Sequence, residues 1–327
     1  MQRDTSLFIL LGPLLALAQG AAADTELGTV EVTASPIPSV APLAGQDYSA
    51  SRVDAEGLAT LGGPAQTNPY RALDLMPSVN LSGLDAYGLS VDQNFMRVRG
   101  IAAATYSNLA VTVAGTPSSV SAGRGGVGNL FDLENLASVT LWRGPQPAGT
   151  GLGMGNLAGS MDLEIRGPRE QAGAQVRAAG GSDDFRRLFA RLDTGTVLGG
   201  SRFFLSGSTA GSDKWRGPGD QSRDTLNAGF AQTFGERGTL ELYAAHNRFH
   251  RDEYRPLTYA QSKDLDRYGD LDYNAKLTGV AATDSNYYAY NTQHFDESNL
   301  LARTSWKLND RIQVTFKNLR IMNGNSK

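Results

Sequence analysis

The sequence has no cysteine in its 327 residues. Disulfide staples and thiolate metal centres are therefore excluded. Histidine is almost as scarce, with three residues at 246, 250 and 294. No Gly-x-Ser-x-Gly stretch and no carboxylate pair in a recognisable setting accompanies them, so no catalytic set is visible and an enzyme is not expected. Long apolar runs are missing after residue 23, which excludes a helical membrane protein. Excess charge is missing too: the net charge is −3, and nucleic acid is not an expected partner. Glycine is plentiful, yet the run Gly149, Gly151, Gly153, Gly155 fits no phosphate loop. Met154, Asn156 and Ala158 break every Gly-x-Gly-x-x-Gly register, and no Gly-Lys-Ser or Gly-Lys-Thr follows. No cofactor is called for.

What is present begins with an export signal. Arg3 gives a weakly positive start, blunted by Asp4, and Leu7 to Ala18 is an apolar run of signal-peptide length. Small residues Ala21 to Ala23 place the expected cleavage before Asp24. Residues 24–47 read as a tether. Within it Thr29-Val30-Glu31-Val32-Thr33-Ala34 is β-prone, and Pro36, Pro38 and Pro42 stop it from extending into helix or sheet. A brief strand on a flexible stalk suits pairing with the sheet edge of a partner.

Residues 48–166 read as a mixed α/β domain organised around the stretch Asn129 to Arg166. An acidic, helix-compatible patch (Asp132, Glu134) leads into the apolar strand Ala137 to Trp142. A turn at Arg143-Gly144-Pro145, the glycine run and a second strand, Gly159 to Ile165, follow. A helix is predicted from Asn68-Pro69 to Met76, stopping before Pro77. Val98, Val111, Val113, Val139 and Leu141 supply the inward positions of short strands. Polar loops at 82–94, 102–108 and 116–127 expose Tyr87, Tyr106, Asn108 and Arg124.

Four ordered blocks carry a resemblance: Tyr70 to Asn80 with Leu-x-x-x-Pro-x-Val character, Phe95-Met-Arg-Val-Arg-Gly-Ile101, Ala110 to Pro117, and Val139 to Pro145 with its glycine-rich return. In this order they resemble the plug domain of TonB-dependent outer-membrane receptors. The departures are Ala114 where that family usually has Asp, and Leu141-Trp142 for Val-Leu. The resemblance implies that Thr29 to Ala34 is the TonB box, the segment that engages the periplasmic energy-coupling protein TonB. It implies ion pairs between Arg97, Arg99 and Arg143 and barrel-wall glutamates, which are left free to lie outside the 327 residues. It also implies that the plug loops form the floor of a ligand pocket, with Tyr87, Tyr106, Asn108, Arg124 and Trp215 as candidate contacts for a ferric chelate.

After Gly167-Pro168 the texture changes to alternation with turn residues, and residues 167–327 read as seven antiparallel strands. They are 174–180, 185–193, 202–210, 225–234, 239–249, 299–308 and 311–321. Short turns are expected at 194–201, 235–238 and 309–310, and long loops at 211–224 and 250–298. That asymmetry, with a mean hydropathy of −0.30, suits an outer-membrane barrel. On one strand Leu240, Leu242 and Ala244 are expected to face lipid, and Thr239, Glu241, Tyr243 and Asn247 the lumen. His246 and His250 have the spacing of a helical metal pair, but in a strand they read as part of a polar rim with Arg248, and no metal is assigned.

The expected fold is therefore a small α/β plug followed by antiparallel strands of an incomplete transmembrane β-barrel. Plugged receptors of the resembling family close with about twenty-two strands, so the chain reads as truncated or incomplete at Lys327. The function implied is uptake of a scarce ligand, foremost a ferric siderophore, in the outer membrane. A receptor for haem, cobalamin or another nutrient stays open, as does a passive porin-like channel or adhesin. A signalling transducer is disfavoured because no extra domain fits between Asp24 and Thr29.

Overall fold

The computed structural model describes residues 41–42, 50–83, 85–89, 96–103, 108–118, 131–144 and 157–324. The leader, the tether with Thr29 to Ala34, Tyr106, Arg124 and the glycine run 149–155 lie outside them. The N-terminal α/β unit contains β1 (Ala41–Pro42), β2 (Ala50–Asp54), α1 (Ala55–Leu61), β3 (Val79–Leu81), β4 (Met96–Val98), β5 (Ile101–Ala102), β6 (Leu109–Val113), β7 (Thr116–Pro117), β8 (Leu136–Trp142) and β9 (Gly159–Ile165). Six of these strands form one sheet in the order β1-β2-β8-β9-β6-β7, while β3-β4-β5 form a smaller one. β6 runs parallel to β9, and the remaining neighbours are antiparallel.

Local chemistry explains these elements. The Asp54 carboxylate accepts from Gly57 N–H at 2.9 Å and caps α1, with Glu56 in its first turn. Gly159 starts β9 at φ +117°, where a Cβ would stand 2.1 Å from the Trp142 carbonyl oxygen. The hairpin turns Arg99-Gly100 and Ala114-Gly115 have positive φ at both central residues, as a two-residue primed turn requires. Arg99 (φ 54°) and Ala114 (φ 49°) hold this conformation without the short polar side chain that eases it.

The helix predicted over Asn68 to Met76 is reduced to a single 3-10 turn, Arg71–Leu73. The Asn68 side chain does cap the Tyr70 and Arg71 amides. Pro77, however, disfavours helical geometry at Met76, and the Asp74 carboxylate accepts from Leu81 N–H, bending the chain into β3. So short a segment cannot offset the nucleation cost of an α-helix. α1, by contrast, has no counterpart in the sequence reading.

All seven expected strands of the C-terminal part are present, and most are longer than the alternation suggested. They are β10 (Ala172–Gly180), β11 (Arg186–Thr194), β12 (Ser201–Asp213), β13 (Asp220–Phe234), β14 (Gly238–Asp252), β15 (Thr292–Asn309) and β16 (Ile312–Gly324). Each pairs antiparallel with the next, giving a sheet ordered β10 to β16 that is not closed into a barrel. The loop expected at 211–224 shrinks to 214–219. Gly211, Ser212 and Asp213 continue β12 opposite Ser222, Gln221 and Asp220, and Gln221 donates to Ser212 at 3.0 Å. Low strand propensity gave way there to side-chain pairing inside the sheet. The connection 253–291 is long, as expected, and carries short helical turns at Leu265–Tyr268 and Ala281–Asp284.

The sheet has two unlike faces. Leu192, Phe203, Leu205, Leu226, Leu242 and Leu300 are exposed on one. Arg187, Arg191, Ser206, Ser208, Arg223, Asn227, Tyr243 and Asn247 are buried on the other, against the α/β unit. One apolar cluster joins the two parts, with Val53, Leu58, Tyr70, Val98, Phe131, Val139 and Leu163 meeting Phe204, Tyr243 and Leu301. Gly229 keeps the sheet side open, since a Cβ there would lie 2.1 Å from the Phe204 ring.

Candidate functional site

The feature with the most concentrated chemistry is the seam where the α/β unit meets the sheet. The short sequence Asp132-Leu133-Glu134-Asn135 makes a single 3-10 turn, Leu133–Asn135, just before β8. Leu133 points into the apolar core. Its three polar neighbours are turned to the sheet and are buried.

Each meets a partner at the right parity of the strands opposite. Arg187 donates from Nη1 to Glu134 Oε1 at 2.8 Å and from Nη2 to Glu134 Oε2 at 3.0 Å. The same Nη2 reaches Asp132 Oδ1 at 3.2 Å. Asp132 also accepts from Ser208 Oγ at 2.8 Å and Thr225 Oγ1 at 2.6 Å. Asn135 donates to Ser206 at 2.9 Å and accepts from Arg191 Nη1 at 2.9 Å. Arg191 in turn donates to both oxygens of Asp193 at 2.9 Å and lies 3.8 Å over the Phe204 ring. Arg223 donates to Asn247 and to the Phe131 and Thr67 carbonyls. A second bridge stands lower in the seam, where Arg303 links Glu164 of β9 (3.0 Å) to Glu241 of β14.

The electrostatic consequence falls on Glu134. Burial pushes its carboxyl above its ordinary value, Arg187 pulls the other way, and the nearby Asp132 charge adds to the rise. Two carboxylates with one bidentate guanidinium make a geometrically specific dock. Its net stability is small relative to apolar packing, but the loss of one partner is costly.

Arg97, Arg99 and Arg143 bond within the α/β unit. Arg97 reaches the Gly100 carbonyl at 3.4 Å, Arg99 the Leu157 carbonyl at 2.9 Å, and Arg143 the Pro77 carbonyl and Ser51 hydroxyl at 2.9 and 3.0 Å. Among the described residues none of the three forms an ion pair. In the described seam Asp132, Glu134 and Glu164 of the α/β unit meet Arg187 and Arg303 of the strands, and Arg303 also meets Glu241 of β14.

The ligand candidates fall in two places. Tyr87 donates or accepts at Ser182 Oγ (2.7 Å) and stacks on Phe185 at 4.0 Å, pinning its loop to the β10–β11 hairpin. Asn108 donates to the Ala102 carbonyl at 2.9 Å within its own loop. Trp215 is more than half exposed and stacks on Tyr254 at 5.7 Å. Beside it, Lys214 and Arg216 converge on Asp272, the Lys214 contact being 2.8 Å. Burial, with the Asp85 and Asp272 charges, raises Tyr254 to about 12. Asp213 N–H donates to the Asp183 carbonyl at 2.7 Å, next to the Ser182 that Tyr87 meets, which places the loop that carries Tyr87 at the same end of the sheet. Among the described residues no group of three or more metal-ligating side chains could hold an ion, and no helix is long and apolar enough to cross a membrane.

This geometry, an α/β unit docked on the polar face of an antiparallel sheet, has a known counterpart. Residues 43–160 match the family model of the TonB-dependent Receptor Plug Domain. That stretch is a plug domain. Most of the chain, the α/β unit and the strands together, resembles solved outer-membrane receptors. Against the ferric-catecholate import receptor Fiu from E. coli K12, in its open form, the TM-score is 0.59 at 19% identity, covering 88% of this chain and 41% of that one. For the siderophore receptor PiuA from Acinetobacter baumannii the values are 0.62, 16%, 87% and 37%. For the alcaligin outer membrane receptor FauA from Bordetella pertussis they are 0.58, 14%, 85% and 39%. At these identities the likeness is one of fold, and the chain spans about two-fifths of the length of those structures. No curated protein matches the chain.

The seam residues were missed in the sequence. Their signal was present in the strand parity of Arg187, Phe189, Arg191 and Asp193, which places four residues, three of them charged, on one face of β11.

Proposed function

We propose that the chain carries the plug and first wall strands of an outer-membrane receptor, not an enzyme, that takes up a ferric siderophore by energy coupling to TonB. The observation that supports this reading most is the plug domain seated through buried carboxylates on the polar face of a sheet whose other face is apolar. Such a sheet suits lipid on one side and an enclosed domain on the other. In this reading Thr29 to Ala34 is the segment that pairs with TonB by adding a strand to its sheet. Trp215 and Arg216, with the Tyr87 loop at the same end, contribute to the ligand vestibule, and Tyr106, Asn108 and Arg124 belong to the plug loops that floor it. Arg97, Arg99 and Arg143 face wall carboxylates on strands other than β10 to β16.

The test separates coupling from binding. Val30→Pro removes a backbone donor from the pairing segment. Cells expressing the gene in an iron-starved host should keep surface binding of a radiolabelled ferric siderophore while losing its energised uptake. Uptake equal to that of the unaltered protein would overturn the coupling assignment. Absence of binding for ferric catecholate and hydroxamate chelates alike, with haem or cobalamin bound instead, would replace the ligand class.

A further inference from the structure

A second, smaller constellation lies away from the seam, at the neck of the long connection 253–291. His250 on β14 and His294 on β15 are direct cross-strand partners. Both belong to the outward parity of their strands, in line with Arg248 and Asp296 and opposite to the plug-facing Arg251 and Glu297. Their rings stack at 4.5 Å between centroids, and the two Nδ1 atoms stand 3.3 Å apart. Two nitrogens bound to one tetrahedral cation, each at about 2.0–2.1 Å, are separated by about 3.3–3.4 Å. Facing Nδ1 atoms can share one hydrogen, so one of them presents a lone pair to the other.

The surroundings select which nitrogen that is. The Asp252 and Asp220 carboxylates lie 3.7 and 3.8 Å from His250 Nε2. These are charge contacts beyond hydrogen-bond distance, and the negative charge on that side favours a proton on Nε2, which leaves Nδ1 as the ligating atom. His294 can shift its own hydrogen from Nδ1 to Nε2 without losing a proton overall. The helical-type spacing of His246 and His250 is not involved. His246 Nδ1 is engaged by Ser298 at 2.9 Å.

We propose that His250 and His294 form a bis-imidazole chelate for a divalent transition cation of the zinc, nickel and copper class, completed by water. Imidazole donors suit these metals. The cation would staple β14 to β15 two residues inside each strand end, at the base of the connection 253–291. This site is independent of any ligand taken into the vestibule, because it sits on the outward face.

The full chain in detergent micelles tests it. Copper(II) added in substoichiometric amount to the unaltered protein should give an electron paramagnetic resonance spectrum with coupling to two nitrogens, a readout that needs no variant. Titration with Zn²⁺ followed by calorimetry should show one site. His250→Ala and His294→Ala should each weaken it by at least about 10-fold, since altering even an outer-shell partner typically costs 10–100-fold. His246→Ala should leave it unchanged. A one-nitrogen copper spectrum overturns the proposal, as does equal zinc affinity in the unaltered, His250→Ala and His294→Ala proteins. An equal loss in His246→Ala overturns it too, because binding would then be diffuse over surface histidines.

Discussion

Removing Arg187 tests how the plug is held. The side chain is almost wholly buried, as are Asp132 and Glu134. Asp132 keeps the hydroxyls of Ser208 and Thr225 when the guanidinium is lost. Glu134 loses its contact on both oxygens at once. Breaking a buried pair by deleting one partner costs about 3–5 kcal/mol, because the remaining charge stays desolvated. Arg187→Met preserves most of the side-chain volume, so little of that cost comes from a cavity. The double variant Arg187→Met, Glu134→Leu replaces the bidentate pair with apolar groups and should return to within about 1 kcal/mol of the unaltered protein. The double variant should therefore be about 2–4 kcal/mol more stable than Arg187→Met alone.

Fluorescence can follow the plug selectively. Of the three tryptophans in the sequence, Trp142 lies in the plug and is buried. Trp215 and Trp306 can be changed to Phe to leave it as the single reporter. With a urea slope of ~1–1.5 kcal/mol/M for a unit of plug size, Arg187→Met should lower the Trp142 midpoint by about 2–5 M. The double variant should restore it to within about 1 M. If Arg187→Met moves the midpoint by less than about 0.5 M, the seam does not hold the plug. If the double variant falls as far as the single, Arg187 acts through Asp132 or through packing on Phe189, and the pairing argument fails.

Two further outcomes follow from the geometry. Gly159→Ala places a methyl against the Trp142 carbonyl at a backbone angle of +117° and should destabilise the β8–β9 hairpin by about 2 kcal/mol or more, read as a lowered Trp142 midpoint. Tyr254, raised to about 12 chiefly by burial, should ionise later than the ordinary value near 10. The stability it contributes is complete below about pH 10 and is lost as pH rises through about 12. The difference in 295 nm absorbance between the unaltered protein and Tyr254→Phe should show that late step, and a step near 10 would mean that the Trp215–Tyr254 stack is open.

Much of the fold was legible because two signals are local. Period-two alternation located all seven strands, and the outward and inward assignment of Leu242, Ala244, Tyr243 and Asn247 followed directly from it. The inward valines of the plug, Val98, Val113 and Val139, are fully buried for the same reason. Strand ends were less legible. Gly211 to Asp213 and Asp220 to Arg223 have turn-like composition but are held in register by neighbours that a single stretch does not reveal. The Asn68 to Met76 helix failed because a good start signal cannot compensate for a proline stop eight residues away.

The seam was not legible because its two halves lie more than fifty residues apart and neither is unusual alone. Asp132 and Glu134 read as an acidic, helix-compatible patch, and a charged pair flanking a leucine is usually solvated. What distinguishes them is the parity of β11. Once alternation is taken seriously, Phe189 must face the plug, and Arg187 and Arg191 must face it too. Enclosed arginines require carboxylate or carbonyl partners, and the acidic residues that lead into the strongest plug strand are the first to search. The resemblance directed attention instead to Arg97, Arg99 and Arg143. In the structure those side chains satisfy plug carbonyls and a serine hydroxyl, while the described wall strands contribute arginines of their own. In the described seam the α/β unit contributes the carboxylates Asp132, Glu134 and Glu164, and the strands contribute the arginines that meet them. The bidentate pairing gives the seam a defined geometry, and the apolar cluster around Phe204, Tyr243 and Leu301 adds hydrophobic burial beside it.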